Sequence, residues 1–169
     1  MDVPFLTRQL TDNAARIDSL VRGISQQEAT WKPDRDTWSI LEVVNHFYDE
    51  EREDFRVRLD IILHRPKQPW PDIDPEGWVT ERKYNERDLE ESLQDFLKER
   101  GASLEWLDTL ENPDWAASYQ AHFGLITAGD MLASWTTHDH LHMRQLIELH
   151  RALTAHNAEP YQLYYAGEW

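Results

Sequence analysis

The chain has 169 residues, no cysteine, eight tryptophans and a formal net charge of −15. Its length and apolar content suit one domain over residues 1–169 with a sizeable core. The missing thiols exclude disulfides, thiolate metal sites and a cysteine nucleophile. The acidic balance argues against nucleic acid or an anionic membrane surface as partner.

The N-terminus shows no basic stretch followed by an apolar one, and no apolar run approaches the roughly 18 residues of a spanning helix, so a cytoplasmic protein is expected. Pro4 suits a first helical turn, where its missing N–H costs little. Phe5, Leu6, Leu10, Ala14, Ile17 and Val21 keep a helical stripe up to Gly23. Ser25 to Glu28 fits a capping box and a short helical turn. Ser39 to Glu42 fits a second box, and Ile40, Val43, Val44, Phe47, Phe55, Leu59 and Ile62 carry a long helix over about residues 39–64. Within it, the charged run from Asp49 to Asp54 reads mostly as a solvated face.

Residues 65–80 hold Pro66, Pro69, Pro71, Pro75 and Gly77 and no periodicity. They read as a long irregular connection, pinned by Trp70, Ile73 and Trp78, of the kind that often covers a site. A third helix spans about residues 85–110 through Leu89, Leu93, Phe96, Leu97, Leu104 and Leu107. Residues 115–126 form a second connection. Thr127 with Asp130 resembles a capping box for a fourth helix that runs to about Leu153. The aromatic tail from Pro160 to Trp169 is expected to pack on the bundle, since exposed aromatics are costly. Four helical stripes and no alternating runs predict an all-α four-helix bundle, whose long helix 2–3 connection allows a crossover.

In the fourth helix Met131, Leu132, Trp135, Leu146 and Leu149 form the core-facing stripe, and His138 and His142 continue it one turn apart. Two unpaired imidazoles in a core would each need a partner. One divalent cation accepts both, given a third ligand from elsewhere. His46, on the flank of the second helix's stripe, is the best third candidate. Glu50, one turn on, could be a fourth ligand, a supporting base or simply solvated. Asp139 and Gln145 are candidates to orient ligands or substrate. His122 lies in a loop able to reach the site. His140 faces away, His64 and His150 end helices, and His156 is in the tail. Glu-x-x-His, His-Glu-x-x-His, glycine-rich phosphate loops and Gly-x-Ser-x-Gly are all absent.

Three segments resemble the DinB/YfiT-like superfamily of metal-dependent enzymes. Trp31-Lys32-Pro33 followed by Trp38-Ser39-Ile40-Leu41-Glu42-Val43-Val44-Asn45-His46 resembles its entry into helix two. Gly124 to Thr127 leading into His138-Asp139-His140-Leu141-His142-Met143-Arg144-Gln145 resembles its last helix. The tail Tyr165-Ala166-Gly167-Glu168-Trp169 is the third. The resemblance covers nearly the whole chain. It implies a bundle with one divalent metal ion, nickel or zinc foremost, held by His46, His138 and His142. It also implies a homodimer and a small-molecule substrate, with a low-molecular-weight thiol as possible cosubstrate.

The expected function is therefore thiol S-transfer to a small electrophile at a mononuclear three-histidine site. Three neutral histidines leave an open position on the ion, as in catalytic sites. Without cysteine, any thiol must arrive as a cosubstrate. The alternatives are metal-dependent hydrolysis, or a non-catalytic bundle that binds a metal or a partner.

Overall fold

The computed structural model describes residues 1–167; Glu168 and Trp169 of the expected tail motif lie outside the described residues. Helix α1 (Val3–Val21) begins where the Asp2 carboxylate accepts the Phe5 N–H at 2.9 Å. The short α2 (Gln26–Thr30) follows the Ser25–Glu28 capping box. Helix α3 (Ile40–Glu50) follows the Ser39–Glu42 box, in which each side chain bonds the other's backbone N–H, at 3.1 and 2.8 Å. The long helices α6 (Leu89–Asp108) and α7 (Ala128–Ala158) start at Asp88 and at the Thr127–Asp130 box. The three boxes expected from sequence all form.

The second long helix is not uniform. Between α3 and α4 (Arg56–His64) lies one π turn, Glu51–Phe55. The extra residue in that wide turn rotates the downstream face. It brings Phe55 to 5.0 Å from the His138 ring and stacks it on Trp135 at 5.9 Å. The same turn corrects the expectation of a solvated acidic run. Asp49, Glu50, Glu51 and Asp54 are all buried. They are sustained there by arginines from several elements: Arg82 on Asp49, Arg100 on Glu51 and Arg58 on Asp54.

Residues 65–80 are less irregular than expected. Asp74 caps α5 (Pro75–Glu81), with Pro75 in its first turn. Trp78 is buried there beneath the Arg82 guanidinium, 3.9 Å from its ring. The connection before α7 holds an antiparallel hairpin, β1 (Ser118–Ala121) and β2 (Gly124–Thr127), paired from Ser118 with Thr127 to Ala121 with Gly124. Its turn is His122-Phe123, followed by Gly124 at φ +134°. The turn lacks an Asn-Gly or Asp-Gly pair, so the strands gave no sequence signal. The tail also departs from expectation: Tyr161, Tyr164 and Tyr165 are exposed. Helix α7 runs a turn beyond its expected end and releases the tail past the apolar clusters.

Helix α1 packs mainly on α6 and α7, and α3 likewise on α6 and α7. So α1 lies diagonally across the bundle from α3, and α6 from α7. The diagonal steps are therefore made by residues 22–39 and 109–127. The longer connection after α4 joins neighbours, which corrects the expected place of the crossover. The result brings α3 and α7, far apart in sequence, face to face.

Candidate metal centre

His46 enters from α3, and His138 and His142 from one face of α7. The His46 Nε2 lies 3.1 Å from the Nε2 of His138 and 3.1 Å from that of His142. One nitrogen of each ring falls within 4.8 Å of the other two. His46 is buried, while His138 and His142 are half-buried, so solvent reaches the cluster from the α7 side. Aromatic rings wall it in. Trp38 stacks on His142 at 6.2 Å, and Phe47 meets His142 and His138 edge-on at 5.5 and 6.1 Å.

Burial, more than any neighbouring charge, keeps all three imidazoles neutral. It pushes His46 down to about 3, reinforced by His142. It holds His138 well below the usual range, helped by His142, His46 and Arg100. It lowers His142 too, against an opposing pull from Gln145 and Asp139. A neutral imidazole has one N–H, so three converging nitrogens cannot all be satisfied by one another. The tautomer of His142 is set by Gln145, whose Oε1 lies 2.7 Å from Nδ1. With the proton on Nδ1, Nε2 presents its lone pair to the cluster.

This donor set fits a divalent cation. Nitrogens about 2.1 Å from an ion stand about 3.0–3.4 Å apart, and the two observed separations of 3.1 Å fall in that range. A buried loose end points the same way. Among the described residues the His46 Nδ1 has no hydrogen-bond partner, and neither has the Glu50 Oε1, 4.0 Å away. Burial and the nearby Asp54 push the Glu50 carboxyl up to about 9.

The other candidates fall in different places. Asp139 is fully buried but turned away from the triad. It receives two bonds from Arg100, at 2.7 and 2.8 Å, and one from Asn13 at 3.2 Å. His122 sits exposed in the hairpin turn, beside a cleft with Arg58, Trp70 and Tyr119 and apart from the triad. His140 is exposed. His64 pairs with Asp60 at 2.9 Å, His150 Nε2 meets the Leu20 carbonyl at 2.6 Å, and His156 stacks on Trp31 at 5.3 Å.

Sequence reasoning missed the structure directly beneath the site. Arg100 is buried on the core side of α6 and joins Asp139 of α7 to Glu51 of the π turn, the latter at 2.7 Å. The Trp135 indole N–H donates to the same Glu51 carboxylate at 2.7 Å. This knot fixes the backbone on both sides of the triad. A signal was present: Arg100 stands four residues after Phe96, in line with the apolar stripe of α6.

Bacillus subtilis YfiT, described as a probable metal-dependent hydrolase with an unusual four-helix bundle topology, matches this fold with a TM-score of 0.78. The match covers 89% of this chain and 87% of that one, at 18% sequence identity. None of the functionally curated proteins matches the chain. Residues 9–146 match the DinB superfamily, a range that takes in His46, His138 and His142. The chain thus belongs to the DinB superfamily.

Proposed function

We propose that this protein is a metal-dependent enzyme, most simply a hydrolase, whose Nε2 atoms of His46, His138 and His142 hold one divalent ion. The observation that carries the reading is the convergence of three neutral, buried imidazole nitrogens from two helices. Such an ion lowers the pKa of a bound water or thiol and polarises an electrophile. The chain's own residues do the rest. Gln145 fixes the His142 tautomer by accepting a hydrogen bond from its Nδ1–H. Glu50, facing the buried Nδ1 of His46 and holding its own proton, is the group placed to orient that ring. Asp139 acts through Arg100, holding the α7 backbone that carries both α7 ligands. The aromatic wall of Trp38, Phe47 and Phe55 limits the water around the reacting atoms.

The hydrolytic reading is supported by the description of YfiT. Thiol S-transfer is the second reading, supported by the family resemblance of the His-Asp-x-x-His-x-x-Gln helix. Because the chain has no cysteine, a thiol would have to come as a cosubstrate. The first test is elemental analysis of the wild type beside His138→Ala and His142→Ala. About one divalent ion per chain is expected from a mononuclear site, lost in both variants while helical circular dichroism persists. A wild type that takes up no ion even after incubation with nickel or zinc overturns the proposal. Once the site is loaded, ester hydrolysis with and without a small thiol separates the two reactions.

A further inference from the structure

A groove of about 560 Å³ runs along the first half of α7 against Phe55 of the π turn. His138 forms part of its wall, so the groove leads to the triad from the solvent side. Positions 130, 133, 134, 137, 138 and 141 line it, in the three- and four-residue steps of one helix face. The groove is therefore elongated, with about 12 Å of helix between Asp130 and His138.

Its chemistry is one-sided. Phe55, Ala133 and Leu141 make the walls apolar, and Leu141 is 53% exposed. The Thr137 hydroxyl donates to the Ala133 carbonyl at 2.8 Å, which leaves its lone pairs free to accept. Among the described residues no lysine or arginine lines the groove, and its charged residue is Asp130. The Asp130 carboxylate takes the Thr127 hydroxyl and N–H at 2.6 and 2.9 Å, which holds it ionised. A carboxylate or phosphate on a ligand would need a cationic anchor. At the Asp130 end, about 12 Å of helix from the triad, it would instead meet an anion, on a chain of net charge −15.

We propose that this groove is the substrate channel of the triad and that it selects an elongated, mostly apolar molecule without negative charge at the end remote from the triad, its reacting end at His138 and any cationic end at Asp130. The inference deepens the metal-dependent reading above and rests on it. Molecules with a carboxylate or phosphate at that remote end are disfavoured on charge. Neutral or amine-bearing esters and amides of aliphatic chains are admitted.

Three probes with the same neutral amide head test the selection: octanamide, 8-aminooctanamide and 7-carboxyheptanamide. They are titrated into zinc-loaded and zinc-free ¹⁵N-labelled protein while backbone amide shifts are followed. Octanamide and the amine should shift Ser134, Thr137 and Leu141, and in zinc-free protein, where no ion can hold its carboxylate, the acid should bind about tenfold more weakly, the effect of one added like charge near a surface carboxylate. Asp130→Asn, which keeps an acceptor for the Thr127 cap but removes the charge, should bring the acid level with octanamide. An acid that binds zinc-free wild type as tightly as octanamide overturns the selection, as do shifts confined to residues outside 130–141. If zinc binds and no probe moves the groove, the channel falls and the metal site stands. If zinc does not bind yet the three probes keep the expected order, the metal-dependent reading falls while the groove's selectivity is upheld.

Discussion

Two polar clusters lie next to each other in the core, and they are built on opposite principles. In the first, Arg100 donates from Nε to Glu51 and from both terminal nitrogens to Asp139, and one of these also reaches the Leu10 carbonyl at 2.9 Å. Trp135 and Asn13 add further donors to the same two carboxylates. Donors meet acceptors and charge meets opposite charge, although the Glu51 Oε2 has no hydrogen-bond partner among the described residues. In the second cluster, three like groups face one another, and the outer nitrogen of His46 has no hydrogen-bond partner among the described residues. A closed cluster of the first kind specifies how helices sit together. An open convergence of the second kind contributes little to folding and calls for something between its members. Consecutive residues of α7 serve the two: His138 faces the open cluster and Asp139 the closed one.

The comparison is broken most severely by removing its closed half. Arg100→Met leaves Glu51 and Asp139 buried without their counter-charge. It should cost about 3–5 kcal/mol, read as a large fall in melting temperature even without metal. His138→Ala should leave the metal-free melting point nearly unchanged. If the two variants destabilise equally, the distinction between the clusters fails.

A milder perturbation acts on the open half alone. Gln145→Leu keeps the ligands but removes the acceptor that sets the His142 tautomer. Loss of such an outer partner costs roughly 10–100-fold in metal affinity, measurable by competition with a chelating dye. An unchanged affinity would remove Gln145 from the site.

The pH dependence of metal-free protein sharpens the contrast further. The triad imidazoles titrate below their unfolded value of about 6.5, so they favour the fold above that pH, and the advantage is lost as pH falls. Glu50 has the opposite sign. Its carboxyl, pushed up to about 9, favours the fold below its unfolded value, and that advantage is lost as pH rises toward 9. The unfolded chain thus binds more protons on the acid side and the folded chain more on the alkaline side. Thermal stability of chelated protein should peak near pH 6.5 and decline both ways. Steadily rising stability between pH 6.5 and 9 would contradict the buried, proton-holding Glu50.

The smallest effect lies away from both clusters. Ser39→Ala removes the α3 cap and the hydroxyl bond to Asn85 at 2.6 Å. About 1–2 kcal/mol of stability should be lost, with the stoichiometry of bound metal intact.

What could be read from the sequence was what depends on short spacing. Helix periodicity, the three capping boxes and the one-turn interval between His138 and His142 are local facts, and the structure has all of them. The pairing of His142 with Gln145, three residues on, belongs to the same class. His46 could be named as a candidate because it lies beside an apolar stripe, but periodicity could not say that α3 and α7 face each other. The diagonal arrangement of the helices decided that. It is set by how whole faces bury against one another, over separations of about ninety residues.

The misreadings share one cause. The acidic run from Asp49 to Asp54 looks solvated when each charge is judged by its own residue type. It is buried because Arg58, Arg82 and Arg100, brought in by three different helical segments, reach those carboxylates. The π turn that delivers Phe55 to His138 leaves no periodic mark, since one inserted residue is invisible in a short apolar pattern. The hairpin is stabilised by pairing between its two strands and by Trp70 stacked on Tyr119 at 4.5 Å, a contact from another loop. By itself the sequence determined the helices, their caps and the chemistry of the candidate ligands, because these depend on neighbours within a turn or two. Only the tertiary structure decided which histidines meet, which charges are neutralised and where the site opens, because burial and charge pairing belong to the assembled core.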